Sequence, residues 1–221
     1  MICKGEVMKY LIHTMPARYW YVTDYLIPSM LQQGIKFNDI DIYSDAAGEG
    51  CLKSTLKSFK ALPEIGYTWH IQDDVIISSS FKEVTEYIQN YEGNIVVCGF
   101  ASCYDKHAAA SGTTKPEHMW YSFPCIGIPN VYAHEFVEWI EKNDDDSDLI
   151  YISNNMFDDY LFKRFMQQEH PKTQVFNLNP NIVNNIDYLI GGSIISKREE
   201  KIESLYWCEP ELIEDLKERL K

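Results

Sequence analysis

The sequence predicts an α/β fold, a single domain with a mainly parallel sheet flanked by helices. Two observations carry this. Short apolar runs alternate with stretches of helical period across the first hundred residues, the pattern that lays strands side by side with crossover helices. The chain has 221 residues, 45% of them hydrophobic, enough for one well-packed core and barely enough for two.

Residues 7–13 form an apolar run that ends in Thr14-Met15-Pro16-Ala17-Arg18, a buried strand followed by a turn. Val22, Tyr25, Leu26, Ser29 and Met30 recur at helical spacing, with Pro28 as a kink and Gly34 as the stop. Residues 40–43 read as a second strand and 44–50 as a loop containing Asp45, Gly48 and Gly50. A helix is expected over 53–62, a third strand over 67–71, a helix over 81–91 and a buried strand over 94–100. Together these give β-α-β-α-β-α-β, in which ligands bind outside the carboxyl ends of the strands.

Beyond residue 100, polar and small residues at 104–117 suggest a loop that closes over a bound ligand. Residues 120–128 look extended, and 131–141 and 155–168 helical. Asp144, Asp145, Asp146 and Asp148 read as a solvated acidic loop. A short strand over 174–178 and a charged helix over 210–220, with Glu214 paired to Lys217 or Arg219, complete the series.

Composition narrows the function. A formal charge of −13 repels a nucleic-acid backbone over most of the surface. The first fifteen residues lack the apolar core of a secretory signal, and no run approaches the length of a membrane span, so a soluble, cytoplasmic protein is expected. Six cysteines without a CxxC pair suit a reducing compartment. Cys98, Cys103, His107 and His118 lack the paired spacing of a zinc site and read as core and loop residues.

The segment Trp69-His70-Ile71-Gln72-Asp73-Asp74-Val75 places two carboxylates at the end of an apolar strand, where they face the ligand crevice. A divalent cation held there suits the growing negative charge on a departing diphosphate. Asp74 is the candidate metal ligand. Asp73 points the other way in extended backbone and is placed to accept hydrogen bonds from a donor sugar or ribose. A strand-end turn is the alternative for the bare Asp-Asp pair.

Several segments, in order over residues 7–193, resemble the GT-A glycosyltransferases, and small phage-type members in particular. Gln72-Asp73-Asp74-Val75 resembles their DxD motif. Pro16-Ala17-Arg18 is similar to the P-x-R loop that cradles the base, and the stretch from Asp45 through Lys53 and Lys57 to Gln72 to the segment that contacts the donor. Asp158-Asp159-Tyr160 resembles the acidic motif that opens a helix near the acceptor, and residues 179–186 the family's late P-S-L-V-x-H segment. Gly191-Gly192-Ser193 matches the small-residue turn that follows. Asn185 stands where the family often has a metal-binding His.

The resemblance implies a Rossmann-like GT-A sheet, with residues 1–100 binding a nucleotide-sugar, a UDP-sugar for preference, and 101–221 the acceptor. It implies Mn²⁺ or Mg²⁺ on Asp74 and Asn185. Pro16, Arg18, Asp45, Lys53, Lys57, Gln72 and Asp73 are the donor-binding set. Asp159, with Asp158, is the catalytic pair. Trp120, Tyr121 and Phe123 are an apolar platform for an acceptor sugar or else core packing. The acceptor is open, a modified nucleobase of phage DNA or a glycan, and no protein partner is implied. If the chain is phage-encoded, the expected location is the host cytoplasm. Two other readings compete: a nucleotidyltransferase on a similar sheet, against which the first strand lacks a glycine-rich phosphate loop, and a non-catalytic carbohydrate- or nucleotide-binding protein.

Overall fold

Strand β1 (Met8–Thr14) sits between β2 (Ile40–Ser44) and β3 (Tyr67–Gln72) and is parallel to both. In the computed structural model, which describes residues 8–89, 95–101, 112–120, 123–143, 158–191 and 207–220, these open a seven-stranded sheet. With β5 (Val96–Cys98), β6 (Gly112–Thr114), β7 (Cys125–Pro129) and β8 (Val175–Asn177), the order is β2-β1-β3-β7-β5-β8-β6. Five strands run one way; β7 and β6 run the other. The result is an α/β fold with a mostly parallel sheet, compatible with a Rossmann-like arrangement.

Two features differ from the strictly alternating series. β7 wedges antiparallel between β3 and β5, so the fourth expected strand is not the neighbour of the third. All five of its residues are buried, and a strand covered on both faces carries no alternation from which direction can be read. Its Gly127 is fixed by contact: a Cβ there would lie 2.5 Å from the Tyr67 hydroxyl. The run after Asp74 forms β4 (Val75–Ile77), which leaves the main sheet and pairs antiparallel with β9 (Val183–Asn185).

Helices cover both faces. Helical backbone runs through α1 (Tyr19–Tyr21), a π segment (Val22–Leu26) and α2 (Ile27–Gln32). Pro28 acts by widening the turn before it: the Ile27 N–H bonds Val22 across five residues, because the proline ring disfavours the usual register. Gly34 ends the stretch at φ 83°. These helices, with α4 (Phe81–Gln89) and α7 (Pro210–Arg219), pack on Tyr10, Ile12, Trp69 and Ile71. The opposite face carries α3 (Cys51–Lys60), α5 (Asn130–Lys142) and α6 (Asp158–Glu169), packed on Leu11, Ile126 and Ile128. Rings of Phe59, Phe136, Phe162 and Phe165 interlock between these helices at centroid distances of 5.3–6.4 Å.

In the stretch expected as a loop over 104–117, residues 112–114 form edge strand β6 and Pro116–His118 a 3-10 turn; 104–111 lie outside the described residues. The acidic run at 144–148 also lies outside them. Glu214 pairs with Lys217 at 2.7 Å. No helix among the described residues is long and apolar enough to cross a membrane.

Candidate functional site

Thr14 pairs with Ser44, and His13 with Gln72, so strands β1, β2 and β3 stop at one level. The loops that leave them form the walls of a cleft of about 140 Å³ lined by Met15, Arg18, Asp45, Gln72, Asp73 and Asp74, with Cys51 at its back. This is the carboxyl edge of three parallel strands, where such sheets hold ligands.

The first wall is built on Arg18. Pro16 opens a 3-10 turn (Pro16–Arg18), which turns the chain back so that the Arg18 side chain is buried over the end of β3. Its Nη1 donates to Asp73 Oδ1 at 3.1 Å and meets Asp74 Oδ2 at 3.2 Å. Asp73 Oδ2 accepts the Met15 N–H at 3.0 Å, so both Asp73 oxygens hold the loop that carries Arg18. Burial pushes the Asp74 carboxyl up to about 6; Arg18 pulls it back, while Asp73 and Asp187 add to the rise.

The second wall is Asp45. Its Oδ1 accepts the Glu49 N–H at 2.9 Å and its Oδ2 the Gly50 N–H at 2.8 Å, while its own N–H bonds Thr14 O at 2.9 Å. Gly50, at φ 92°, supplies the left-handed backbone that swings the chain into α3. The helix then opens into the cleft at Cys51 and Ser54.

Behind Cys51 lies Asp158, 4% exposed, whose Oδ2 accepts the Cys51 thiol at 2.9 Å and the Thr55 hydroxyl at 3.1 Å. Burial raises the carboxyl of Asp158, and burial together with Asp158 holds the Cys51 thiol well above its ordinary range, so the thiol stays a proton donor. Gln72 Nε2 reaches the same sulfur at 3.8 Å. Asp159 is half-buried one position on; its Oδ1 accepts the Tyr160 N–H at 2.7 Å.

The structure thus brings Arg18, Asp45, Gln72, Asp73 and Asp74 into one cleft lining, with Asp158 one hydrogen bond behind. Pro16 shapes the turn but is exposed. Lys53 and Lys57 do not line the cleft: both are exposed on α3, and Lys57 is paired with Glu49. Trp120 is fully buried in the α3–α5–α6 core together with Phe123, and Tyr121 lies outside the described residues. Asn185 is buried on β9 opposite Val75, where its Oδ1 accepts the Asp187 N–H at 3.1 Å. Among the described residues, no three His, Cys, Asp or Glu side chains form a metal-holding group. Asp74 Oδ1 is nevertheless buried without a hydrogen-bond partner, which suits a hard cation.

Sequence reasoning passed over three residues. His13 lines the cleft and its ring meets that of buried His70 at a centroid distance of 4.0 Å, tilted by 33°, and its Nε2 meets Ser58 Oγ at 2.9 Å. Their signal was available: they alternate out of phase with Tyr10, Ile12, Trp69 and Ile71, so they share the α3 face. Asp187 is 3% exposed, and its charge acts on Asp74 and Arg18; it lies one residue past the segment that drew attention.

Comparison with protein-family models finds no match, and neither does comparison with curated proteins.

Proposed function

We propose that this protein is a GT-A type glycosyltransferase that transfers a sugar from a nucleotide-sugar donor. The observation that supports the reading most is the convergence of Arg18, Asp45, Gln72, Asp73 and Asp74 on one cleft at the carboxyl ends of β1, β2 and β3. These are residues the family resemblance assigns to the donor and, for Asp74, to its metal, although they lie as much as 56 positions apart in sequence (18 to 74). The cleft is small beside the roughly 300–1,000 Å³ that enclose a whole ligand, and a size of about 140 Å³ suits the diphosphate portion of the donor.

On this reading Arg18 and the α3 entrance present positive charge and N–H groups to the diphosphate. Asp73 holds the Arg18 loop in place, and Gln72 is available to the donor sugar. A divalent cation on Asp74 would stabilise negative charge on the leaving diphosphate. Asp159 takes the proton of the acceptor hydroxyl while the hydroxyl oxygen bonds the anomeric carbon and the bond from that carbon to the nucleoside diphosphate breaks. General-base assistance of this kind is worth about 10²–10⁴ in rate.

One observation favours a second reading, a nucleotide- or carbohydrate-binding protein without turnover: the Arg18 guanidinium already bridges Asp73 and Asp74. The two readings separate in one experiment. Calorimetric binding of a panel of nucleotide-sugars, with and without Mn²⁺, is measured on the wild type and Asp74→Ala. Metal-dependent binding of one donor, lost in the variant and accompanied by slow hydrolysis of that donor, supports the transferase. Binding indifferent to both metal and Asp74→Ala supports the binding protein, and no binding of any donor sinks the transferase and moves the binding protein to the front.

A further inference from the structure

Two carboxylate oxygens without hydrogen-bond partners, one on the cleft residue Asp74 and one on Asp187 in the segment bonded to it, point to a cation site whose second ligand is one that the resemblance does not assign. Asp187 opens the 3-10 turn Asp187–Leu189 and is 3% exposed, yet its Oδ1 is buried and accepts no hydrogen bond. Asp74 Oδ1 is in the same condition, while its Oδ2 faces Arg18. The two segments are tied directly: the Ile186 N–H donates to the Asp74 carbonyl at 2.7 Å. Asp187 lies within electrostatic range of both Asp74 and Arg18.

Burying a carboxylate oxygen without a partner costs about 1–3 kcal/mol or more, and natural chains tolerate it where the atom has another use. Asp73 and Asp74 already share the Arg18 guanidinium, and Asp187 acts on both Asp74 and Arg18 from within electrostatic range, so three carboxylates face one cation and local negative charge is in excess. All the available ligands are oxygens, which selects a hard cation. Mg²⁺ and Mn²⁺ are commonly held by one or two carboxylates, the other positions going to water and substrate phosphate.

We propose that Asp74 Oδ1 and Asp187 Oδ1 are the two protein ligands of a divalent cation, and that Asn185 is not a ligand but the residue that aims Asp187. The Asn185 side-chain oxygen is already committed to the Asp187 N–H at 3.1 Å. The carboxylate two residues along the chain then supplies the charge that a neutral amide lacks. This assignment rests on the reading of the cleft as a diphosphate site, since phosphate oxygens complete the coordination.

The test is a Mn²⁺ titration followed by electron paramagnetic resonance of the free ion, with and without UDP, on the wild type, Asp187→Asn and Asn185→Ala. Thermal melts are recorded in parallel. One Mn²⁺ should bind the wild type. Because losing even an outer-shell partner typically weakens metal affinity by about 10–100-fold, Asp187→Asn should weaken it by roughly tenfold or more, and Asn185→Ala by less. Without metal, Asp187→Asn should melt at or above the wild type, because it removes a charge whose burial outweighs its bond to the Tyr188 N–H and its attraction to Arg18, and it should lose the Mn²⁺-induced rise in Tm. Wild-type affinity in Asp187→Asn, a larger loss in Asn185→Ala, or an apo Asp187→Asn that melts well below the wild type would overturn the assignment. A wild type that binds no Mn²⁺ also overturns it; if that protein still binds a nucleotide-sugar, the donor cleft stands without the metal.

Discussion

Arg18 and Asp73 hold each other at 3.1 Å in a position where both are almost completely buried, and the same carboxylate also fixes the backbone of Met15. One ion pair therefore sets both the shape of the loop after β1 and the placement of the cation at the cleft. Removing one partner of a buried pair leaves the other desolvated and uncompensated.

Arg18→Ala should cost about 3 kcal/mol of stability at neutral pH, read from urea denaturation. The deficit should shrink toward pH 5. The Asp74 carboxyl stands at about 6 even with Arg18 present, so mild acid neutralises the carboxylate that the variant leaves exposed to Asp73 and Asp187. A deficit independent of pH would show that Arg18 acts by packing alone.

Asp158 takes both the Cys51 thiol and the Thr55 hydroxyl on one oxygen. Asp158→Ala leaves the buried Thr55 hydroxyl and the half-buried Cys51 thiol, a weaker donor, without their acceptor and should cost about 1–3 kcal/mol, with loosening of the α3–α6 contact. Because burial and Asp158 keep the Cys51 thiol protonated, iodoacetamide at pH 7.5 should modify exposed Cys208 well before Cys51, as followed by peptide mass spectrometry. Faster labelling of Cys51 would mean the thiol is not held as a donor.

The sheet and its order of elements were legible because β1, β3 and β5 are short runs rich in apolar, aromatic and β-branched residues. What could not be read was direction and partner. β7 and β4 look like any other apolar run, and only three-dimensional closure decides that one runs antiparallel and that the other leaves the sheet. In the cleft, residues beside a strand end were legible, because the strand dictates where the next side chains go; this covers Arg18, Asp73 and Asp74, whereas Asp45 and Gln72 were singled out by the family resemblance. Residues on helices were placed less well. The spacing of Lys53 and Lys57 fixes a shared face but not which way that face turns, and it turns to solvent. Trp120 shows the same limit: an aromatic cluster reads alike as a platform or as core, and here the ring is fully buried.

The contacting pair His13 and His70 makes the fold acid-sensitive. Burial lowers the His13 imidazole to about 3, and it lowers His70 well below its ordinary value with His13 adding to the effect. Both rings are neutral when folded and take up protons near pH 6.5 when unfolded. The unfolded state thus binds more protons below pH 6.5, so stability is complete above that value and falls as pH drops toward 3. Since neither His70 nitrogen has a hydrogen-bond partner, His70→Phe should be close to neutral at pH 7.5 and should flatten the acid limb. An acid limb unchanged in this variant would assign the sensitivity elsewhere.

Asp45 tests whether a residue shapes the donor cleft or touches the donor. Its two oxygens are taken by the Glu49 and Gly50 N–H groups, the bonds that deliver α3 to the cleft. If shaping is its role, Asp45→Ala should lose about 1–2 kcal/mol, as loss of a helix-entry acceptor does, and should weaken nucleotide-sugar binding in proportion to the disorder it creates. Asp45→Asn, which keeps one acceptor oxygen but not the charge, should recover much of both. If Asp45 instead contacts the donor through its charge, Asp45→Asn should restore the melting temperature and leave the affinity low. Parallel recovery of stability and affinity therefore marks a shaping residue, and their separation a binding one.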